Sequence, residues 1–471
     1  MDNTEDKAQI GLIGLAVMGE NLARNIADKK FKTVVFNRTS EKTVDFVKNF
    51  GSAYLSGENE LEDFVKKIEK PRKIILMVKA GAAVDVMISS LIPLLDEGDI
   101  IMDLGNSNYR DSQRRQIILK EKKLLFIGCG ISGGEEGALK GPSLMPGCDK
   151  SAYDQVSEVL TAIAAKDFKG NSCVTYIGKN GAGHYVKMVH NGIEYGIMQL
   201  MAEAYDILRK KYKLKANEIG EIFEKFNEGK LNSYLLEISA RVLAKKDDNS
   251  DEYLVDKILD RAAQKGTGKW TAIDGLQRGI SVSCISEAVF SRYNSSEIDL
   301  RKKISESLNM SVIESDVFSD ENIEKLEQAL YAAIICCYAQ GFALIEAAAK
   351  EENWDINLSE IARIWQGGCI IRAKILEELT EAYEEKAMNH LFEIPKIADS
   401  LKGAIGALRN VCIRANEIGV AIPVFSSALA YFDGMRSLNS PANFIQGLRD
   451  YFGAHTYERN DRDGVFHTDW E

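Results

Sequence analysis

The chain has 471 residues, 45% of them apolar and 27% charged, and a formal net charge of −11. That length is too great for one hydrophobic core and predicts two or three domains. The acidic balance excludes a general role on nucleic acid or on a membrane surface, so any anionic ligand needs a local basic pocket.

The N-terminal MDNTEDKAQ is acidic and polar, which reads as neither signal nor transit peptide. Short apolar runs at 10–14, 33–36, 73–78, 100–103, 125–128 and 174–177 alternate with amphipathic segments. That alternation predicts a parallel sheet with crossover helices. The first run leads into GLAVMG, a G-x-A-x-x-G match at Gly14, Ala16 and Gly19 that opens a helix at 20–28. In strand–turn–helix context this points to a dinucleotide pyrophosphate resting on backbone N–H groups, with an ordinary tight turn as the alternative. The second strand ends in Asn37, Arg38 and Thr39, where an NAD site has an acidic residue for the ribose 2′-hydroxyl. A neutral amide, a guanidinium and a hydroxyl favour a 2′-phosphate, hence NADP. Val78, Lys79 and Ala80 end another strand at the same sheet edge and are candidates for a wall of the cofactor crevice.

Asn106 lies in DLGNS after the strand at 100–103, and Ser132, Gly133 and Gly134 lie in GISGGEEGA after the next strand. The second loop runs on through GPSLMPG to residue 147. Clustered N–H groups and a hydroxyl suit an anion such as a carboxylate; a flexible glycine-rich loop is the plainer alternative. From residue 181 the strand signals stop and the chain reads as helix. A long helix is expected from 181 to about 210. Lys187, His190, Asn191, Glu194 and Tyr195 fall at i, i+3, i+4, i+7 and i+8, on one face. Lys187 and Glu194 are ~10 Å apart along the axis, able to reach one small molecule from two ends. A polar seam against another domain is the plainer account of this face. A weak repeat at an offset of about 142 places Leu330, Ala333, Ile334, Cys337 and Tyr338 where the first copy has the five polar residues, so helix packing does not demand them. The apolar run at 329–349 carries Gln340 and Glu346 and is expected as a core helix. Lys265 and Thr267, in the glycine-rich turn KGTGKW, and Arg292 supply local positive charge. From about residue 440 the sequence turns polar, aromatic and glycine-punctuated, which reads as an extended tail that is either frayed or docked on a second subunit. The eight cysteines show no CxxC and no metal spacing with His, so they are expected to be reduced, buried thiols of a cytoplasmic protein without a metal site.

GLAVMG, NRT, VKAG, DLGNS, GISGGEEGA, GPSLMPG, GAGHYVKMVHNGIEYG, KGTGKWT, FSRY and RDYFGAHTYE occur in this order over nearly the whole chain. Together they closely resemble the decarboxylating 6-phosphogluconate dehydrogenase family. The resemblance implies an α/β plus all-α architecture. A Rossmann-type doubly wound sheet (1–180) would bind NADP. A large all-helical domain with an internal duplication (181–440) would hold substrate and dimer contacts. The tail (441–471) would reach into the partner of a homodimer. It implies oxidation and decarboxylation of 6-phospho-D-gluconate to ribulose 5-phosphate, CO₂ and NADPH. By the same resemblance Lys187 is the general base and Glu194 the general acid. Asn106, Ser132, Gly133, Gly134, His190 and Asn191 hold the sugar acid. Tyr195, Lys265, Thr267 and Arg292 approach the phosphate, and Arg449 and His455 come from the other subunit. The implied cofactor set is Gly14, Ala16, Val17, Met18, Gly19, Asn37, Arg38, Thr39, Val78, Lys79, Ala80 and Asn106.

Three positions depart from the family pattern: Leu139 for a usual Arg, Cys148 for a second Gly, and Ile197 for a usual acidic residue. The last is expected to alter the electrostatics near Glu194 or a subunit contact. A β-hydroxyacid dehydrogenase that does not decarboxylate would share the glycine loops and the lysine, yet has no need of KGTGKW, Arg292 or the tail. A non-catalytic NADPH-binding dimer has no need of the Lys187/Glu194 pair.

Overall fold

The computed structural model describes residues 7–310, 319–385 and 390–471. Seven strands form one sheet: β1 (Ile10–Ile13), β2 (Thr33–Phe36), β3 (Leu55–Gly57), β4 (Lys73–Leu76), β5 (Ile100–Asp103), β6 (Leu125–Ser132) and β7 (Ser143–Gly147). Their spatial order is β3-β2-β1-β4-β5-β6-β7, parallel throughout except for the antiparallel β6/β7 pair. Helices cover both faces, so β1, β2 and β5 are buried at every position and are mostly apolar, with Thr33 and Asp103 at strand ends as the polar exceptions. Ile13 pairs with both Phe36 and Leu76, and Leu76 with Asp103. The loops beginning at Gly14, Asn37, Met77 and Leu104 therefore leave from one sheet edge. The order reverses between β1 and β4, where open α/β sheets form a ligand crevice.

The sheet departs from expectation in two places. The segment at 174–177 is not a sheet strand; it touches β7 through single bridges, Leu144 to Val174 and Gly147 to Gly178. The Val174 amide bonds to the Ser172 carbonyl, so the ladder is interrupted. The segment 143–147, expected as glycine-rich loop, is β7. Pro146 argues against a strand because it lacks an N–H, but on this edge its carbonyl accepts from the Ile177 amide at 2.9 Å.

From Ala182 to Gly453 the described elements are helices. Two long helices, Ala182–Tyr212 and Asp320–Glu352, cross closely enough that a Cβ on Gly341 would meet Ile193. Each is followed by a shorter helix, Ala216–Glu228 and Leu358–Ile364. Each half then reaches a left-handed glycine, Gly279 or Gly419, before a further helix, Ser283–Ser296 or Pro423–Met435. This is the internal repeat in three dimensions, and Leu330, Ala333, Ile334, Cys337 and Tyr338 are all buried in it. The apolar stretch of the second long helix packs as core.

The two halves cap each other. The Glu203 carboxylate, from the first long helix, accepts from the Val424 and Phe425 amides at 3.0 Å each, at the start of the second half's Pro423–Met435 helix. Gln340, from the second long helix, accepts from the Cys284 amide at 3.0 Å, at the start of the first half's Ser283–Ser296 helix. Otherwise-orphaned N–H groups are satisfied at both ends. A buried Asp274 joins sheet to helices by accepting from Tyr109 Oη at 2.9 Å and Tyr185 Oη at 2.6 Å.

The tail is not extended. It forms a helix, Ala442–Gly453, and a small hairpin of β8 (Tyr457–Glu458) and β9 (Val465–Phe466). Phe444, Ile445, Leu448, Tyr451 and Phe452 recur at helical spacing, and all five are exposed. Among the described residues, the hydrogen bonds of 442–471 stay within 440–471.

Burial raises the Glu203 carboxyl from 4.5 to about 7, against the two amides and Gln199 that lower it. A carboxyl whose pKa is higher folded than unfolded stabilises the fold below its unfolded value and loses that contribution as pH climbs through its folded value. Glu203→Gln should flatten the stability profile between about 4.5 and about 7, which urea midpoints measured across that window will test.

Candidate active site

The cofactor groove is built from backbone. The Val17–Asp28 helix starts after Ala16 with no side-chain cap, so its first N–H groups face an open end. Gly14 sits at φ 105°, where a Cβ would strike the Met77 carbonyl, and a Cβ on Gly19 would overlap the Gly14 carbonyl. Asn37 Oδ1 accepts from the Leu15 amide at 3.0 Å, and the Asn37 amide donates to Thr43 Oγ1 at 3.1 Å. The Asn37 side chain therefore pins the glycine turn to the end of β2. Arg38, Thr39 and Lys79 are exposed beside it. Among the described residues Arg38 pairs with no carboxylate, leaving its guanidinium available for an added phosphate. Val78 and Ala80 are half-buried. The donor set and the glycine cradle fit a phosphorylated dinucleotide.

One buried cation ties the neighbouring loops together. Asp103 accepts from the Gly105 amide at 3.0 Å, Ser107 Oγ at 2.6 Å and Arg115 Nη1 at 3.1 Å. Arg115 also donates to the Gly81 carbonyl at 3.0 Å. Asn106 is thus fixed on a turn held from both sides.

The sheet edge opens into a cleft. It gathers Met18, Asn106, Ser132, Gly133, Gly134, Lys187, Asn191, Glu194, Tyr195, Lys265, Thr267 and Arg292 from the expected set. It adds Ile131, Met198, Ala263, Gln264 and Ile370. Gln264 adjoins Lys265 and Met198 is one turn beyond Glu194, so adjacency to motif residues was the available signal for both. His190 lies just behind the wall, fully buried, its Nε2 3.3 Å from Ser132 Oγ and its Nδ1 3.0 Å from Asn191 Oδ1. A neutral ring protonated on Nδ1 satisfies both contacts. Asn191 Nδ2 donates to Thr267 Oγ1 at 3.2 Å. The chain Ser132–His190–Asn191–Thr267 thus links the glycine loop, the long helix and the basic turn.

Lys187 is 5% exposed and its Nζ lies 3.4 Å from His190 Nδ1. No carboxylate lies within ion-pairing distance of it among the described residues. Burial lowers its pKa to about 8, opposed by the Glu194 and Cys369 charges. Burial also raises the Glu194 carboxyl, with Lys187 and Arg292 opposing. Burial, with the Lys187 cation adding to it, keeps His190 well below its ordinary value and therefore neutral. At the far end the Arg292 guanidinium lies 3.4 Å over the Tyr195 ring and donates to the Ala263 carbonyl at 3.0 Å. Gly266, at φ 101°, leads without a side-chain cap into the Thr267–Arg278 helix, beside Lys265. The cleft therefore has a buried amine and a buried carboxyl in its middle and a cationic, N–H-rich end.

Arg449 and His455 are not among the residues lining this cleft; Arg449 donates to Gln446 Oε1 and His455 packs edge-on to Phe452. Ile197 is likewise outside it. It is buried in an apolar cavity with Ile334 and Tyr338, so its side chain belongs to the helix-packing core and not to the Glu194 end or an exposed contact surface. Cys148 is buried in the sheet core and Leu139 is half-buried on the Gly134–Lys140 helix.

A dinucleotide groove at a sheet switch point, opening into a cleft with a buried lysine and carboxyl, defines a nicotinamide-dependent dehydrogenase for a small anionic substrate. Residues 9–178 match the NAD binding domain of 6-phosphogluconate dehydrogenase, and residues 183–470 match the 6-phosphogluconate dehydrogenase C-terminal domain. The chain belongs to the 6-phosphogluconate dehydrogenase family. It is 50% identical over 466 residues to the NADP(+)-dependent, decarboxylating 6-phosphogluconate dehydrogenase of Bacillus subtilis (strain 168), covering 98% of this chain and 99% of that protein. It is 49% identical over 466 residues to the decarboxylating enzyme of Lactococcus lactis subsp. lactis (strain IL1403), with the same coverage. Plasmodium falciparum 6-phosphogluconate dehydrogenase, solved apo and with NADP+ or 6-phosphogluconate, superimposes with a TM-score of 0.94. That match has 45% identity and covers 98% of this chain and 100% of that one.

Arg38→Ala should weaken NADP binding roughly ten- to hundredfold by removing a charged donor, and NAD binding far less; fluorescence titration of both reduced cofactors measures the difference. A base that must be neutral sets the acidic limb of the pH profile. kcat/KM should climb with pH and level off above about 8. Lys187→Met should abolish turnover while leaving NADPH binding intact.

Proposed function

We propose that the protein catalyses NADP-dependent oxidative decarboxylation of 6-phospho-D-gluconate to ribulose 5-phosphate. The observation that carries this reading is the cleft itself. Lys187 and Glu194 stand two turns apart on one buried helical face, between a carboxylate-sized glycine loop and a cationic end that suits a phosphate.

Bound in the groove, NADP supplies the two-electron acceptor. Neutral Lys187 accepts the C3 hydroxyl proton as that carbon is oxidised. The ammonium so formed then donates to the C3 carbonyl oxygen while the neighbouring carboxylate leaves as CO₂. The lysine needs a pKa near neutrality to work in both directions, and burial provides it. Protonated Glu194 then delivers a proton to the former C2 while neutral Lys187 takes back the enol O–H proton, giving the ketose. Ser132, Gly133, Gly134, Asn106 and Asn191 hold the sugar acid end, with His190 orienting Ser132 and Asn191 from behind the wall, and Tyr195, Lys265, Thr267 and Arg292 hold the phosphate.

In this reading residues 1–180 bind NADP, 181–440 carry the substrate cleft and the dimer contact, and 441–471 exchange between two copies. A homodimer is supported by the uncovered apolar face of the tail helix, and Arg449 and His455 of each tail would complete the other copy's phosphate site. A reducing, cytoplasmic setting is supported by eight free, buried cysteines.

The test is NADPH absorbance with CO₂ followed in parallel on 6-phosphogluconate and NADP. Equimolar NADPH and CO₂ are expected. NADPH without CO₂ would overturn the decarboxylation, and neither product with NADP bound would overturn the reaction.

A further inference from the structure

The tail folds around one carboxylate. Asp450 is 0% exposed in a segment whose neighbours are mostly in solvent. Its Oδ1 accepts from the Thr456 amide and His467 Nδ1, each at 2.9 Å. Its Oδ2 accepts from the Thr468 amide at 3.0 Å and Trp470 Nε1 at 2.9 Å. Three of these four donors come from the last five residues of the chain, and the fourth directly follows His455.

The loop that carries His455 needs such support. Ala454 and Thr456, on either side of it, have φ of 47° and 61°. Left-handed backbone is uncommon for a non-glycine residue and an outlier for a β-branched one, and it persists only where surroundings over-determine it. Here the Ala454 amide donates to the Asp450 carbonyl at 2.9 Å and the Thr456 amide to its carboxylate. Gln446 Nε2 donates to the Thr456 carbonyl at 2.6 Å, and Arg449 Nη1 donates to the same Gln446 at 3.0 Å. Contacts within the tail therefore relate Arg449 and the loop of His455 to each other.

We propose that Asp450, with His467, Thr468 and Trp470, is a positioning hub that sets Arg449 and His455 for the phosphorylated end of the substrate, and that the chain's last five residues act on substrate affinity without touching substrate. This rests on the reading that the tail carries Arg449 and His455 into a second copy's cleft.

The experiment compares the full-length protein with a form ending at Phe466, with Asp450→Asn and with Arg449→Ala. The readouts are KM for 6-phosphogluconate, KM for NADP, kcat and mass by light scattering. The truncation and Asp450→Asn should each raise KM for 6-phosphogluconate by roughly tenfold or more, as loss of substrate positioning does, with KM for NADP and the mass unchanged. Unchanged KM for 6-phosphogluconate in both, with a raised value in Arg449→Ala, would overturn the hub and leave the tail reading intact. An unaffected Arg449→Ala would overturn the tail reading and the hub with it. Loss of the assembly in both hub variants would also overturn the proposal, because the carboxylate would then serve association and not positioning.

Discussion

The close approach of the Ala182–Tyr212 helix to the end of β6 is the constraint on which the site depends. A Cβ on Gly183 would overlap the carbonyls of Met145 and Gly128, and one on Gly130 would overlap the side chain of Lys187. Glycine at these two positions lets a helix lie directly on a strand, with no side chains as spacers. Lys187 is thereby built onto the sheet that carries the dinucleotide groove, not onto a separate domain that must swing towards it. Ser112 Oγ and His184 Nδ1, 2.6 Å apart, fasten the same helix to the Tyr109–Glu121 helix one turn before Lys187. Lys187 consequently shares one frame with the groove.

Within that frame the chemistry comes from crowding titratable groups where water is excluded. Lys187, His190 and Glu194 occupy two turns of one helix, and burial works against the charged form of each. His190 resolves the conflict by staying neutral and spending both nitrogens on hydrogen bonds, which leaves the lysine as the group able to gain and lose a proton near neutrality. Positive charge is kept at the other end of the cleft, where the Arg292 guanidinium stacks on the Tyr195 ring face and, among the described residues, forms no ion pair with a carboxylate.

Much of this was legible in the sequence because it follows helical or strand periodicity. The polar face at 187–195, the GLAVMG turn and the neutral residue after β2 are local patterns, and local patterns survive folding. What was not legible depends on tertiary packing. β3 has only three residues and β7 carries a proline, so neither makes a strand signal. Ile370 reaches the cleft from far along the chain. The Tyr109–Glu121 helix, YRDSQRRQIILKE, looks like a solvated surface element, yet Arg115 is 1% exposed while Ile117 is 64% exposed. The buried partner Asp103 reverses the ordinary polarity rule there. The tail helix was hidden by its two glycines and polar content, although its apolar residues do recur at helical spacing.

The eight thiols have a consequence for chemical durability. All are buried, and burial pushes those of Cys148, Cys173, Cys369 and Cys412 up to about 12. Peroxides and electrophiles attack the thiolate and need access to it. Sulfur kept protonated and out of solvent reacts slowly by either route, Cys369 near Lys187 included. A folded molecule of this kind should go on making reducing equivalents through an oxidative burst that would silence an enzyme with an exposed cysteine.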